Sequence, residues 1–423
     1  MDSLLKHMER VQDPRCSRKK KHVAAEILTY LVGGYLCGMT SLRRCLNWAE
    51  MSLSILQKHM CLAHGIASVA TVSRLLSSID EELFLYVFME WVGEILDSKG
   101  CHIAIDGKAL RAAASKVKGE RAPMLMHAMD AATGLVLAQL SLDDKPSEIT
   151  TIPRLLKLLD IHDSIITIDA IGTQTQIMEQ IREQGGHFVL MVKKNQPNTY
   201  EEIIRTFEKL EEEKKKQDAD PHYKGPYAGI IDKYDHAESV EKNRDRNEYR
   251  EYSICNDPSI LTKTLDEWPF IKSVGCVRQV RILIVKNSFG EDITPSPGQL
   301  AREGSLRQPL PEKGDGENAD FQIIGIVSDM EMTAGKMGQY KRSHWDVENR
   351  LHHVLDDTFR EDRSPAKRSR NNLALIRKFA YNILRIAKDR EDLKNTIPEI
   401  MDMFAFKQGM MEKYLFHSIE SYY

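Results

Sequence analysis

Apolar positions along the chain change their spacing three times, and each change marks a new kind of element. Up to residue 97 they recur at helical intervals. Val23 to Cys37 suits a buried helix, with Gly38 where a terminating glycine belongs. Thr40 or Ser41 then caps a helix carrying Leu42, Leu46, Trp48 and Ala49. Ser68 to Asp80 reads as a cap, a helix and a stop. Asp80 opens another helix, with Leu83, Phe84, Val87, Phe88, Trp91 and Ile95 on its apolar side. Residues 1–97 therefore predict a small all-helical N-terminal domain, whose short helices and tight turns also suit DNA binding.

From residue 98 to 217 the spacing alternates between strand and helix. Ile103–Asp106 is a short apolar run ending on a carboxylate before Gly107. Met124–Met129 and Leu135–Leu142 flank Asp130-Ala-Ala-Thr-Gly134, which predicts a hairpin. A helix follows from Glu148 to Leu159, then a strand from Ser164 to Ile168 that ends on Asp169. Gln174–Gln184 predicts a helix stopped by Gly185-Gly186, and His187–Val192 a buried strand. The order β-β-β-α-β-α-β is that of a ribonuclease H-like sheet. In that topology the first and fourth strands run side by side, so Asp106 and Asp169 are expected at one edge.

Residues 218–332 lose the helical periods and predict a mostly β insertion. Arg246–Cys255, Phe270–Cys276, Val277–Val285 and Phe321–Ser328 read as its strands, with a long exposed loop over 287–318. Alternating Arg246, Glu248 and Arg250 read as one solvent-facing row, or as a face at the rim of the site. Helical spacing returns at Thr333, and residues 333–390 predict the last helices of the core. Residues 391–423 are left as a C-terminal tail. The fold class is thus α/β: a ribonuclease H-like mixed-sheet core, interrupted by a β-rich insertion before its last helix and preceded by a helical domain.

Composition narrows the function classes modestly. With 423 residues, 42% hydrophobic and 29% charged, the chain is long enough for several domains. A net charge of −3 decides nothing about nucleic acid, because local patches bind phosphate. Seven scattered cysteines without a CxxC pair suit reduced thiols in a cytoplasmic setting. The first residues lack a signal-peptide pattern, and no apolar run is long enough for a bilayer, so no membrane partner is expected.

Two carboxylates brought together repel unless a proton or a cation lies between them. A divalent metal is the economical solution, since Mg²⁺ takes a few carboxylates together with water and phosphate oxygens. Two such ions clamp the attacking and leaving oxygens of phosphoryl transfer. The alternative is that Asp106 and Asp169 only shape turns. On the late helix Arg342, Trp345 and Glu348 fall three apart on one stripe with His352 beyond, which suits either a functional carboxylate or a structural ion pair. Lys193-Lys-Asn-Gln196 follows the last strand, within reach of phosphate or bases, and the run Arg360 to Lys378 is basic.

Ile103-Ala-Ile-Asp-Gly-Lys108, Ile166-Thr-Ile-Asp-Ala170, Lys193-x-Asn-Gln196 and His344-Trp-x-Val-Glu-Asn-x-Leu-His352 together resemble the DDE transposases of bacterial insertion sequences. More narrowly they resemble the H-repeat-associated group, as do Asp13-Pro-Arg15, Arg246-x-Glu-x-Arg250 and the stretch from Leu355-Asp356 to Phe359-Arg-Glu-Asp362. The chain departs from many relatives at His344, Leu355 and Lys194, where Arg, Lys and Gly are usual. The resemblance implies a catalytic triad of Asp106, Asp169 and Glu348, binding two Mg²⁺ ions with Mn²⁺ as a substitute. It implies DNA contacts from Lys108, Lys193, Asn195, Gln196, Arg342, His344 and Trp345. The expected partner is double-stranded DNA with terminal inverted repeats, bound by a homodimer or larger assembly at the bacterial nucleoid. The expected reaction is cleavage and strand transfer of an insertion sequence. The rival readings are a catalytically silent DNA-binding descendant and a stand-alone nuclease on the same fold.

Overall fold

The computed structural model describes residues 2–16, 20–110, 123–142, 148–220, 222–242, 246–283, 319–364 and 368–422. The loop expected over 287–318 lies outside them, as does Lys367 of the basic run. The chain divides into two compact units, Met1–Ser164 with Ser343–Tyr423, and Ile165–Arg342.

The first unit opens with helices α1 (Leu4–Glu9), α2 (Ala24–Leu36), α3 (Leu42–Met51), α4 (Leu53–Leu56), α5 (Val69–Leu76) and α6 (Glu81–Ile95). Their starts follow the sequence: Ser41 accepts from the Arg44 N–H at 3.4 Å, Ser68 from Thr71 at 3.3 Å and Asp80 from Leu83 at 2.9 Å. Gly38 ends α2 in the left-handed region, with φ of 77°. All 13 residues of α2 are buried, so this helix is the axis on which its neighbours pack. Gly34 allows α3 to approach; a methyl there would sit 2.8 Å from the Cys45 Cβ and 2.9 Å from its Cα. Gly34→Ala is expected to cost about 1–3 kcal/mol in urea unfolding, the usual cost of overpacking.

Strands β1 (His102–Ala109), β2 (Met124–Asp130) and β3 (Val136–Leu142) form an antiparallel ribbon, with α7 (Glu148–Leu158) against it. The hairpin turn is as read from the sequence: Thr133 donates to Asp130 through both N–H and hydroxyl, and Gly134 takes φ of 76°. The C-terminal helix, Arg370–Arg390, closes the unit. Its Phe379 ring lies 5.9 Å from Phe84, 4.9 Å from Phe88 and 5.0 Å from Trp91. Residues 397–416, within the stretch read as a tail, form two helices that bury Ile400, Met401, Phe404 and Leu415.

The second unit carries β4 (Ile165–Ile168), α8 (Thr175–Glu183), β5 (His187–Val192), α9 (Pro197–Ala219), β6 (Tyr234–Lys242), β7 (Arg246–Cys255), β8 (Ser273–Leu283) and β9 (Ala319–Ser328). Within it the strand order is β4-β5-β9-β8-β7-β6, parallel for β4 and β5 and antiparallel elsewhere. The fold class is mixed α/β.

Three expectations change here. Strand β6 has no counterpart in the sequence reading, because Tyr-Asp-His-Ala-Glu-Ser-Val-Glu-Lys carries the charges of an edge strand in place of an apolar face. The two strands expected over 270–285 are one, β8, paired without a shift to β7 and β9. Glu248 and Arg250 do not face solvent: both are buried, and Arg250 meets Glu248 and Glu241. An alternating charged row is also what a paired buried network looks like in sequence.

Candidate active site

Asp106 does not end its strand. β1 continues through Gly107, Lys108 and Ala109, which pair with Met126, Leu125 and Met124. Gly107 has no positive φ among the described residues, so a turn is not why glycine stands there. A methyl at that position would lie 3.2 Å from Met124 and 3.3 Å from Glu148, so the absent side chain serves a close approach.

The ladder places His127 directly across from Asp106, on the same face of the ribbon. His127 is fully buried, and its Nδ1 lies 3.1 Å from Nε2 of His352. The other His352 nitrogen, Nδ1, is 3.6 Å from the Asp106 carboxylate. Burial, with Lys108 and Lys378 nearby, pushes His352 down to about 3, and burial pushes His127 well below the usual histidine range. Both rings are therefore neutral and share one hydrogen bond between them. His352 stands beside Asp106 without neutralising it, and the Asp106 side chain stays one-third exposed (33%).

His352 comes from the late helix, which runs as α10 (Ala334–Asp346), a π-helical turn over Val347–His352, and α11 (His353–Asp357). Thr333 caps its start, accepting from the Lys336 N–H at 3.2 Å. The π turn begins beside Glu348, and the His353 N–H bonds to the Glu348 carbonyl five residues back. Such insertions concentrate at functional sites and rotate the following residues off the α-helical stripe. The 3.6-residue period from Arg342 through Glu348 to His352 therefore does not hold past Val347. Glu348 is exposed, Trp345 partly exposed and His344 buried.

Beside Asp106 on the same face, two residues along, Lys108 is only 4% exposed. Its ammonium lies 2.6 Å from Asp356, 2.9 Å from Glu361 and 3.7 Å from Asp362. Glu361 also accepts from Lys378 at 2.7 Å and has Arg377 at 3.9 Å. Burial works against the Glu361 charge, but Lys378, Lys108 and Arg377 outweigh it and hold the carboxyl at about 2. Burial pulls Lys378 down to about 8, still charged at neutral pH. Burial also opposes the charge on Lys108, yet Glu361 and Asp356 raise it above the ordinary lysine value. The sequence offered Lys108 to DNA; the structure gives its ammonium to this buried cluster. No periodic signal links Lys108 to residues 356–378, so only their packing reveals the cluster.

In the second unit Asp169 follows β4 and precedes a 3-10 turn, Ala170–Gly172. The Lys193 ammonium is 2.6 Å from its carboxylate. The neighbouring amides hold the same turn: Asn195 donates to the Ala170 carbonyl at 3.0 Å and Gln196 donates to that of Thr173. Thr173 in turn donates to Met191 on β5. Arg342 is exposed and pairs with Glu241 at 2.5 Å. Elsewhere in this unit, exposed His236 and Glu238 with Glu251 bring ligand atoms within 4.8 Å of one another, although no residue there was offered from the sequence.

Asp106 is one-third exposed and Glu348 is exposed, and carboxylates are the ligands a hard divalent cation takes. The transposase DDE domain family matches residues 97–383, and its associated N-terminal family matches residues 5–92. The chain belongs to the DDE transposase family. The chain is 29% identical to "Putative transposase YncI" of Escherichia coli O157:H7 over 392 residues, covering 92% of this chain and 89% of that one. It is 28% identical to "H repeat-associated putative transposase YhhI" of Escherichia coli K12 over 396 residues, covering 91% and 90%. A Xanthobacter autotrophicus protein is 33% identical over 282 residues, covering 65% of this chain and 88% of that one. A solved piggyBac transposase synaptic complex with hairpin DNA superposes at a TM-score of 0.40 and 10% identity, covering 97% and 79%; a score that low establishes no shared fold. The family membership agrees with the motifs quoted from the sequence. No helix among the described residues is long and apolar enough to cross a membrane.

Proposed function

We propose that the protein catalyses metal-dependent cleavage and strand transfer of an insertion sequence, on a ribonuclease H-like core with a β-rich insertion and a helical N-terminal domain. The observation that carries this reading is the DDE domain match across 97–383. It gains support from the partly exposed Asp106 held beside a neutral histidine pair. Asp106, Asp169 and Glu348 are the carboxylates that would hold two Mg²⁺ ions, or Mn²⁺ in their place. Bound there, the metal would supply Lewis-acid stabilisation of charge on the phosphoryl oxygens. The chain's own residues position and polarise. His352, bonded to His127, stands beside the Asp106 carboxylate, while Asn195 and Gln196 brace the turn that follows Asp169. Lys193, one-third exposed and paired with Asp169, and exposed Arg342, paired with Glu241, would exchange these partners for phosphate oxygens, with Trp345 near Glu348 in sequence as a further DNA contact. Buried Lys108 and His344 act from behind the surface, by charge and packing. Water attacks the phosphodiester in line and the DNA 3′-oxygen leaves as a hydroxyl, which then attacks a target phosphodiester and expels that strand's 3′-oxygen.

The partner in this reading is duplex DNA bearing terminal inverted repeats, bound by a homodimer or larger assembly in the bacterial cytoplasm. The test is cleavage and joining of linear DNA carrying the repeats that flank the gene, with Mg²⁺ against EDTA. End-specific cutting followed by joining is expected. Cutting at any end without joining would instead indicate a stand-alone nuclease. Binding without cutting under any divalent ion would indicate a silent descendant.

A further inference from the structure

An arginine-rich cleft of about 1040 Å³ opens on the first unit, and part of the basic run from Arg360 lines it. Separate stretches of chain supply its walls: the start of α3, the end of α5, residues 360–364 with 368–369, and the beginning of the C-terminal helix. Arg43, Arg44, Arg74, Arg360, Arg363 and Arg368 line it, and all six are exposed. No Asp or Glu is among the described residues that line it. In a chain of net charge −3 this is a strong local concentration of one sign.

The cleft is built, with a fixed floor and walls. Arg377 forms its floor at 3% exposure, with the guanidinium 5.3 Å from the centre of the Tyr35 ring and 3.9 Å from Glu361. Asn372, 1% exposed, donates to the carbonyls of Leu76 at 2.8 Å and Ile79 at 3.0 Å, pinning the α5 wall to the C-terminal helix. Ser41, Ser73, Ser77 and Ser364 line it with the arginines. The first turn of α3, whose Arg44 N–H is capped by Ser41, lies on the same wall. Arg360 sits there with φ of 52°, a backbone conformation that favours glycine, so an arginine is kept at a position where its own backbone is strained.

We propose that this cleft grips the phosphodiester backbone of duplex DNA. The inference rests on the function proposed above for its ligand, and adds where the duplex is held. Arginine and serine are the side chains that contact phosphate oxygens without reading sequence. A free nucleotide fits the lining less well. The aromatic ring present, Tyr35, is fully buried under Arg377 and offers no face for a base, and no carboxylate is placed to take a ribose hydroxyl. Arginines spread around a broad opening instead match charges repeated along a strand.

The test is binding of the full-length protein to a random-sequence duplex in EDTA, by fluorescence anisotropy, over a salt series from about 50 to 200 mM. Arg74→Ala, Arg368→Ala and Arg360→Gly are compared with wild type. Each is expected to lower the slope of log affinity against log salt by about one, and to weaken binding about ten-fold near 0.1 M salt, whatever the DNA sequence. Arg360→Gly removes the charge while relieving the backbone, so its thermal midpoint should hold or rise even if the other variants fold less well. Variants that keep wild-type slope and affinity overturn the proposal. A wild-type protein whose binding depends on these arginines but which cuts no DNA in Mg²⁺ sinks the proposed reaction and leaves the cleft standing. One that cuts while all three variants bind normally sinks the cleft and leaves the reaction.

Discussion

Asp106→Ala is expected to reduce Mg²⁺-dependent strand cleavage by at least about a thousand-fold, the cost of losing several kcal/mol of metal-borne charge stabilisation. Its folding and its DNA binding in EDTA should stay near wild type. The reason lies in the surroundings of the carboxylate. Asp106 is one-third exposed, and its ring neighbour His352 is neutral, so the contact between those two is not an ion pair. Asp106→Asn should lose as much activity, because it keeps the shape and removes only the charge that would hold a cation. Single-turnover cleavage, beside an unfolding curve for each variant, makes the measurement. Retention of cleavage by either variant removes Asp106 from the proposed triad.

Glu361→Ala should have the opposite profile, with a large loss of stability. Removing this carboxylate leaves Lys108, Lys378 and Arg377 buried around an empty place, and breaking a buried ion cluster from one side costs about 3–5 kcal/mol. Glu361→Gln keeps the volume and isolates the charge. The carboxyl sits at about 2 in the folded protein against an ordinary 4.5, so the unfolded chain takes up the proton first as the pH falls. The stabilisation is therefore complete above about pH 4.5 and lost on the way down to about pH 2. Wild type should exceed Glu361→Gln in urea stability at neutral pH, and the gap should close across that acid window. A gap that is absent at pH 7, or that does not change with acid, would remove the cluster from the forces holding the late helices to β1.

Much of the local structure was legible. Ser41, Ser68, Asp80 and Thr333 cap their helices because a short side-chain oxygen before an apolar period can do little else as well. The Asp130–Gly134 turn formed where its composition placed it, and the element order from β1 to β5 was as read. These are local effects, decided within a few residues. The misses share a different cause. Gly107 suggested a turn, but a glycine serves close approach equally well, and Glu148 and Met124, distant in sequence, decide which. The charged run of β6 concealed a strand because edge strands need charges.

By itself, then, the sequence determined the family, the order of elements and the identity of the carboxylates offered for chemistry. The structure, by carrying β1 on through Gly107, put Asp106 and Lys108 on one face. Only the tertiary structure decided what covers that face: a neutral histidine pair beside Asp106, and a buried carboxylate over Lys108. It decided the π turn at Glu348, and it gathered six exposed arginines from three distant stretches into one cleft. The physical reason is that strand and helix periods fix the direction of a side chain, whereas its charge state and its partner depend on burial by residues far away in the chain.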